Sequence, residues 1–319
     1  MATLTEDLAG EYRALTSGCG LVDRSERGKL ALTGSERKSF LAGQVTNDIE
    51  GLTAGGGCYA AFLTHKGKML GDLRVLAVGD PVSELLLDTE RATLQALFDM
   101  IRRFKIGYDV ELHKRTIQSG LLSLIGPRAR AIAGADDLPG DEHAHRAAEI
   151  AGRPVRLIAT DAGVDVLCDA EDTAAVRAAL EQAGAMPVSE VATEIVRIER
   201  GRPRYGIDLD DATIPQEAGL NERAVSFTKG CYVGQETVAR LFYRGKPNRH
   251  LRGLRLSEPV PAGTRLTLGE RVVGQISSSI VSPAYGPIGL ALVRREAAIG
   301  ETVDIEGGTT AEVVELPFG

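Results

Sequence analysis

The sequence predicts an α+β fold with helices packed on mostly antiparallel sheets, followed by a small C-terminal β-barrel. Short strand-like runs alternate with amphipathic helices over the first two-thirds of the chain, an order typical of layered α+β proteins. From about residue 246 onward, Gly, Val and Pro separate short strand-like runs at regular spacing, which is typical of a small barrel or sandwich. We therefore expect one domain over residues 1–245 and a second over 246–319.

The periodicity of apolar residues places the individual elements. A helix is predicted from Leu94 to near Gly107, because apolar residues recur there at i, i+3, i+4, i+7 and i+10. Further helices are predicted after Gly126-Pro127, over 171–182 and over 189–200. The strands are predicted at 73–78, 83–88, 108–112, 121–125, 155–158 and 164–167.

Charge and hydropathy argue against several classes of function. The net charge of −7 disfavours nucleic acid as the main ligand, because phosphate binding depends on Lys and Arg. An anionic membrane surface is disfavoured for the same reason. No run of about 20 apolar residues is present to span a bilayer. The first seven residues are acidic and lack the basic segment of a signal peptide, so we expect a cytoplasmic protein.

The cysteines and histidines argue against a resident metal. An iron–sulfur cluster normally needs four protein ligands, usually closely spaced thiolates, and this chain has no C-x-x-C pair. So few thiols in a long chain indicate a reduced, cytosolic protein. His143 and His145 stand among polar residues, and we interpret them as part of a solvated loop. The four cysteines are Cys19, Cys58, Cys168 and Cys231.

The segment from Lys229 to Glu236, Lys-Gly-Cys-Tyr-Val-Gly-Gln-Glu, is the most informative stretch. It places Cys231 between a lysine and two glycines, and Thr-Val-Ala-Arg follows it. A nearby ammonium and free backbone N–H groups favour the thiolate, which is the reactive form. A nucleophilic or redox-sensitive thiol is one interpretation. A buried cysteine acting as a small apolar side chain is the other.

This segment resembles the signature of the YgfZ proteins, a branch of the folate-binding superfamily that includes the T-protein (aminomethyltransferase, GcvT) of glycine cleavage. The resemblance implies a GcvT-like, multi-lobed cloverleaf fold and tetrahydrofolate, or a one-carbon derivative, as the cofactor. It implies a role in one-carbon metabolism that supports the assembly or repair of iron–sulfur clusters in client enzymes. Cys231 and Lys229 would then serve in catalysis, and Tyr232, Gln235 and Arg240 in folate binding. The T-protein lacks this cysteine, which argues against ordinary aminomethyl transfer.

Glu199 is the candidate for pterin recognition. The helix over 189–200 places Val191, Ile195 and Ile198 on one face, with Glu199 on its flank. A carboxylate at the edge of an apolar face needs a partner, and a salt bridge to a nearby arginine would supply one. A pterin would supply another, because its N3–H and 2-amino group donate side by side. The segment 197–201 resembles the T-protein segment whose glutamate holds the pterin.

Two N-terminal segments resemble elements of the same superfamily. Gln44-Val-Thr-Asn-Asp48 resembles an element of the folate pocket, which implies ligand contacts from Thr46 and Asn47; a simple turn built by Asn and Asp side chains is the alternative. Asp72 stands where the T-protein has a pair of aspartates beside the reacting folate nitrogen. Here the pair is Gly71-Asp72, so Asp72 is either an acid/base group or a strand-edge carboxylate.

Two further features complete the candidate site. Glu217 lies in Pro215-Gln-Glu-Ala-Gly-Leu220, which resembles the family stretch before the signature; it either binds ligand or braces the loop. A basic run without an acid from 237 to 256 would neutralise the glutamate tail of folate or an acidic partner surface, or is a solvated linker. The basic run comprises Arg240, Arg244, Lys246, Arg249 and Arg252.

Three functional hypotheses follow. The first is a YgfZ-type tetrahydrofolate-binding protein in which Cys231 and Glu199 face one cleft, with iron–sulfur client or assembly proteins as partners. The second is a folate-dependent aminomethyl- or methyltransferase in which Asp72 is the acid/base group. The third is a folate-binding scaffold without turnover, whose ligand-bound conformation is recognised by clients.

Overall fold

The computed structural model describes residues 6–319. Residues 1–5, on which most of the expectation about a signal peptide depends, lie outside the described residues. The helices are α1 (Glu6–Ser17), α2 (Arg37–Ala42), α3 (Leu94–Phe104), α4 (Ala129–Ala133), α5 (Thr173–Gln182), α6 (Glu190–Glu199), α7 (Asn221–Ala224) and α8 (Gln235–Arg244). The strands are β1 (Gly20–Asp23), β2 (Gly28–Thr33), β3 (Gly57–Leu63), β4 (Met69–Val78), β5 (Glu84–Thr89), β6 (Glu111–Lys114), β7 (Ser119–Ile125), β8 (His145–Ile150), β9 (Arg153–Thr160), β10 (Gly163–Asp169), β11 (Met186–Pro187), β12 (Arg249–Leu256), β13 (Arg265–Leu268), β14 (Arg271–Ser282), β15 (Gly286–Arg294), β16 (Thr302–Ile305) and β17 (Thr309–Val314).

The chain divides into two compact units. The sheet unit contains Arg13–Val188 and Asn221–Gln235. It holds a five-stranded antiparallel sheet of order β3-β4-β5-β2-β6 and a six-stranded sheet of order β11-β1-β7-β10-β9-β8. The strands of the second sheet pair antiparallel, except for β1 with β11. Each sheet buries its own apolar cluster.

The two sheets of this unit are also connected by a buried ionic network. Arg74 on β4 donates to Asp165 on β10 at 2.6 Å, and it also pairs with Asp88 on β5. Ser123 on β7 donates to the other oxygen of Asp165 at 2.6 Å. Buried charges persist only when they are paired and hydrogen-bonded, and this network meets that condition.

The barrel unit contains, among the described residues, 6–12, Ser189–Leu220 and Glu236–Gly319. Its six strands close in the order β12-β15-β14-β13-β16-β17 around an apolar interior. Helix α6 begins after Ser189, whose hydroxyl accepts a hydrogen bond from the backbone N–H of Ala192 and so caps the first turn. Ile198 of α6 packs in a second cluster with Leu251, Ile288 and Phe318.

The predicted α+β class and the C-terminal barrel are confirmed, and the periodic helices lie where predicted. Helix α3 buries Leu97 and Ile101 completely, whereas Phe104 at its end is exposed. The strand predicted at 108–112 is wrong in position, because a turn occupies 106–109 and the strand covers Glu111–Lys114. The prediction that Val191 lies on the apolar face of its helix is also wrong. Val191 is 42 % exposed, and α6 buries Ala192, Ile195, Val196 and Ile198 instead.

Two general properties bear on function. Among residues 6–319, no helix combines the length and apolar character needed to cross a membrane. Over the same residues, no group of three or more His, Cys, Asp or Glu side chains is arranged to hold a metal ion.

Candidate functional site

The signature loop, residues 229–236, is anchored to the sheet unit by Lys229. The Lys229 ammonium donates to the backbone oxygen of Val45 at 2.7 Å and also to that of Ala42. Burial lowers the pKa of Lys229 to about 8. The ring of Tyr232 lies under this ammonium, 4.9 Å from Nζ to the ring centroid. Tyr232 is buried, and burial raises its pKa to about 12. Lys229 and Tyr232 therefore pack together at the base of the loop.

Backbone contacts fix the second half of the loop. Val233 N–H donates to the oxygen of Gly43 at 3.2 Å. Gly234 has φ of 85°, and a Cβ placed there would lie 2.5 Å from the backbone oxygen of Thr64. Only glycine fits such a close approach without strain. The loop is therefore held against the Gln44–Asp48 element and the β3–β4 turn, and α8 starts at its last two residues, with Gln235.

Cys231 is the exposed cysteine of the four. The alternative in which it fills a buried apolar position is therefore wrong. Burial raises the pKa of Cys19 to about 11 and that of Cys58 to about 12, and burial also raises the pKa of Cys168. Reaction of a thiol requires both access and the thiolate, so Cys231 is the thiol best placed to react.

The Gln44–Asp48 element ties α7 to β3. The hydroxyl of Thr46 accepts from Ala61 N–H at 2.9 Å and donates to the oxygen of Ala224 at 2.5 Å. The amide of Asn47 donates to the backbone oxygens of Tyr59 at 2.8 Å and Arg223 at 3.2 Å. Thr46 has no exposed surface and Asn47 has both amide hydrogens engaged. This geometry makes them bracing residues, and their contact with a ligand stays a prediction.

Asp72 is buried, so it is not a strand-edge carboxylate in contact with solvent. Its Oδ2 accepts the hydroxyl hydrogen of Tyr59 at 2.7 Å, and its side chain is 6 % exposed. Burial raises the pKa of Asp72, while the hydrogen bond from Tyr59 opposes that rise. Burial and the neighbouring carboxylate raise the pKa of Tyr59 well above its usual value, so Tyr59 is the donor.

Arg223 extends this pair on the far side of the tyrosine. Its guanidinium lies over the Tyr59 ring at 5.1 Å, a cation–π contact. It also forms a two-point ion pair with Glu142, with Nε 3.2 Å from Oε2. His143 Nε2 lies 3.5 Å from the same carboxylate. Asp72, Tyr59, Arg223 and Glu142 therefore form one continuous series of polar contacts, and His143 lies beside it with neither ring nitrogen hydrogen-bonded among the described residues.

The interpretation of His143 and His145 as a solvated loop is wrong, because both are buried. His145 accepts from Arg156 at Nδ1, 2.9 Å away, and its Nε2 lies 3.2 Å from the oxygen of Gly56. Burial lowers the pKa of both histidines to about 4. The sequence around them is polar because β8 begins at His145, at the edge of the six-stranded sheet.

Glu199, in the barrel unit, lies inside α6's buried face. Tyr12 donates its hydroxyl hydrogen to the carboxylate, at 3.0 Å from Oε1 and 3.2 Å from Oε2. Ser282 donates to Oε1 at 2.5 Å and itself accepts from the N–H groups of Ala284 and Tyr285. No arginine pairs with Glu199 within residues 6–319, so the salt-bridge alternative is wrong.

Glu217 braces its loop. Its carboxylate accepts from Arg249 Nη2 at 2.9 Å and from the N–H of Ile214 at 3.2 Å. A direct contact with ligand stays a prediction. Gln235 is half-buried at the first turn of α8, and Arg240 is exposed on the same helix. Their predicted roles in folate binding also stay predictions.

Two family models match the chain. Residues 2–229 match the GCVT N-terminal domain, and residues 249–318 match the glycine cleavage T-protein C-terminal barrel domain. The chain belongs to the GcvT-like family of folate-binding transferases. The GcvT-like fold predicted from the signature is thereby confirmed.

Individual GcvT-like relatives agree with this assignment. The chain is 30 % identical over 316 residues to the Arabidopsis thaliana protein named "Putative transferase At1g60990, chloroplastic", covering 96 % of this chain and 72 % of that protein. The crystal structure of glycine cleavage system aminomethyltransferase T from Bartonella henselae superimposes with a TM-score of 0.85. That match covers 98 % of this chain and 89 % of the other at 23 % identity, so it shows the shared fold.

Sequence reasoning missed four partners of the candidate residues: Tyr12 and Ser282 at Glu199 in the barrel unit, and Tyr59 and Arg223 near Asp72 in the sheet unit. The contact between Tyr59 and Asp72 could have been predicted from the pairing of β3 with β4, because this pairing places Tyr59 diagonally opposite Asp72 on the same face of the sheet. The partners of Glu199 come from positions 187 and 83 residues away in the chain, and no local pattern points to them.

Proposed function

We propose that this chain is a tetrahydrofolate-binding protein of the YgfZ branch that supports assembly or repair of iron–sulfur clusters in client enzymes. The observation that carries folate binding is the environment of Glu199. Its carboxylate is buried, receives hydroxyl hydrogen bonds from Tyr12 and Ser282, and has no arginine partner among the described residues. A carboxylate has about four acceptor positions, so two N–H donors of a pterin can still bind to it.

The residues present fit such a ligand. Glu199 would hold the pterin through paired, charge-assisted hydrogen bonds. Ser282 and Tyr12 would hold the carboxylate in position, because each already donates to it. The bound folate would supply a carrier for a one-carbon group. Asn47 and Thr46 would act by fixing the fold of the element that carries them.

The YgfZ assignment rests on Cys231. The thiol is exposed on a loop that Lys229 and Gly234 fix to the sheet unit. A fixed, accessible thiol is suited to act on a one-carbon or redox intermediate. Lys229 would serve by anchoring this loop, since its ammonium binds two backbone oxygens.

A second candidate function is folate-dependent aminomethyl or methyl transfer with Asp72 as the acid/base group. The burial of Asp72 favours it, because enzymes raise the pKa of a catalytic carboxylate by burial and by neighbouring groups. In this case Cys231 would be incidental. The scaffold hypothesis without turnover predicts that neither Asp72 nor Cys231 is needed for client recognition.

Calorimetric titration with tetrahydrofolate tests the folate site. We expect Glu199→Gln to weaken binding by about 1.5–3 kcal/mol, the value of a hydrogen bond to a charged group. Glu306→Gln, an exposed glutamate of the barrel unit, is the matched control and should bind as the wild type does. Equal affinity of the Glu199→Gln variant and the wild type would remove Glu199 from the site.

Two further variants separate the candidate functions. Asp72→Asn should stop transfer of the one-carbon group under the second hypothesis and leave cluster-dependent pathways active under the first. Cys231→Ala should stop the cluster-dependent pathways under the first hypothesis and leave transfer of the one-carbon group active under the second. If both variants keep full function in both assays, the scaffold hypothesis is the one that remains.

A further inference from the structure

The outer face of the barrel carries a cleft of about 670 Å³ that the proposed folate site does not use. We call it the arginine cleft, after Arg249, Arg265 and Arg294 on its lining. It crosses four neighbouring strands, β12, β15, β14 and β13. All of its lining residues belong to the barrel unit.

Two of these arginines lie directly opposite each other. Arg249 on β12 pairs in register with Arg294 on β15, and like charges at opposed positions of a sheet are destabilising. Glu217 offsets the charge of Arg249 at 2.9 Å. Arg294 is exposed and has no ion-pair partner within residues 6–319.

The third arginine, Arg265, lies on the opposite side of the cleft. Arg265 on β13 lies opposite Gln275 of β14, and it too lacks an ion pair in the part of the chain that the structure describes. Gly274 lies between the two sides of the cleft, where a Cβ would lie 3.0 Å from the backbone oxygen of Leu292. The floor is therefore low because this position has no side chain.

The acidic side chains of the cleft are already engaged. Asp208 accepts from Arg197, Ser277 and Ser278, each within 2.7 Å. Asp210 accepts from Thr213 at 2.7 Å and from Ala212 N–H at 3.0 Å. Two uncompensated arginines thus remain on a chain whose net charge is −7.

The cleft also has an apolar part. Ile207 and Val272 line it and are 48 % and 51 % exposed. A ligand with anionic groups alone would leave this surface in water. An extended peptide segment satisfies both parts, because its carboxylates reach the arginines while an aliphatic side chain covers the apolar part.

We propose that the arginine cleft binds an acidic, extended segment of a partner protein, with two carboxylates flanking an aliphatic residue. Arg294 and Arg265 stand two strands apart, which is roughly 10 Å at the usual strand spacing. In an extended peptide only alternate side chains share one face, so two carboxylates and the aliphatic side chain between them face the cleft together at positions i, i+2 and i+4. The two acids are then about 13 Å apart, a span that the long arginine side chains can reach. This sets the expected motif as acidic-x-aliphatic-x-acidic.

The test uses fluorescence anisotropy with a labelled acetyl-Gly-Glu-Ser-Leu-Ser-Glu-Gly-amide peptide and the 319-residue chain. The matched probe replaces both Glu residues with Gln. We expect saturable binding of the Glu peptide that weakens at least fivefold with Arg294→Gln or with Arg265→Gln. Arg271→Gln is the control variant, because Arg271 is on β14, outside the cleft lining, and pairs with Glu296.

Four results would overturn the proposal: no saturable binding of the Glu peptide, equal binding of the Gln peptide, equal loss with Arg271→Gln, or full displacement by succinate or inorganic phosphate at peptide-equivalent concentration. The last would mean a site for small dianions instead. Glu199→Gln should bind the peptide normally, so failure of the folate proposal and failure of this one are distinguishable. Unchanged melting temperatures will confirm that the surface variants fold.

Discussion

Tyr59 and Asp72 form a partly buried hydrogen bond of 2.7 Å between neighbouring strands β3 and β4. The tyrosine ring is covered by Arg223, whose guanidinium is fixed by Glu142. Asp72 therefore has one oriented donor at a buried carboxylate. Burial raises the pKa of Asp72, and Tyr59 is the hydrogen-bond donor that opposes this rise.

Replacing Tyr59 by Phe should raise the pKa of Asp72 further. The hydroxyl stabilises the charged carboxylate, so without it the effect of burial on the pKa is opposed less. The carboxyl carbon of Asp72, followed by NMR through a pH titration, reports this pKa. Tyr108→Phe, at an exposed tyrosine, should leave it unchanged. A fall in the pKa of Asp72 in Tyr59→Phe would contradict the assignment.

Gly234→Ala should destabilise the protein, and Gly230→Ala should not. Gly234 has a positive φ and faces the oxygen of Thr64, whereas a Cβ on Gly230 meets no atom within 4 Å. A residue with a side chain in the left-handed region costs about 1–2 kcal/mol, and the close contact adds to that cost. Urea unfolding of the two variants compares them directly. Equal stabilities would show that the loop is not held against the β3–β4 turn.

Cys231 should be the thiol that alkylating reagents modify in the folded protein. The other three cysteines are buried or half-buried, with raised pKa values. Mass spectrometry after brief iodoacetamide treatment should find one modification, which is lost in Cys231→Ser. Folate affinity of that variant should equal the wild-type value. Rapid modification of Cys58 would count against this view of the loop.

Stability should fall as the pH decreases from about 6.5 towards 4. Burial lowers the pKa of His143 and His145 from 6.5 to about 4. In this window the unfolded chain binds protons that the folded chain does not, so unfolding becomes more favourable as pH falls. Above pH 6.5 the two histidines are neutral in both the folded and the unfolded chain, so their full contribution to the free energy of unfolding is present. The urea midpoint at several pH values measures it.

The double variant His143→Asn, His145→Asn should flatten this dependence. Asn is suited to position 143, where φ is 71°, because it tolerates the left-handed region. His65→Asn, at an exposed histidine, should retain the wild-type slope. An unchanged slope in the double variant would show that other groups cause the pH effect.

Local patterns were enough to predict much of the fold. The apolar period of α3 extends over only 11 residues and the turn residues of the barrel are as local, and both elements form as predicted. The prediction that Val191 is buried failed because helix periodicity does not determine which side of a short helix packs on the barrel. The prediction of a solvated loop at His143 and His145 failed because a polar sequence is also compatible with burial, and His145 finds its partners Arg156 and Gly56 only in the folded chain.

The candidate site was less predictable than the fold. The signature loop was found because its residues are contiguous. The partners of Glu199 and Asp72 were not found, since Tyr12, Ser282 and Tyr59 approach them only after the chain has folded. The division at residue 246 and the shared cleft for Cys231 and Glu199 stay predictions.

A crystal structure with bound tetrahydrofolate tests the central claim most directly. We expect the pterin 2-amino group and N3–H within about 3.2 Å of the Glu199 carboxylate oxygens, with Ser282 still donating to Oε1. A pterin bound elsewhere, or a Glu199 carboxylate that keeps only Tyr12 and Ser282 as partners while folate is present, would contradict the account.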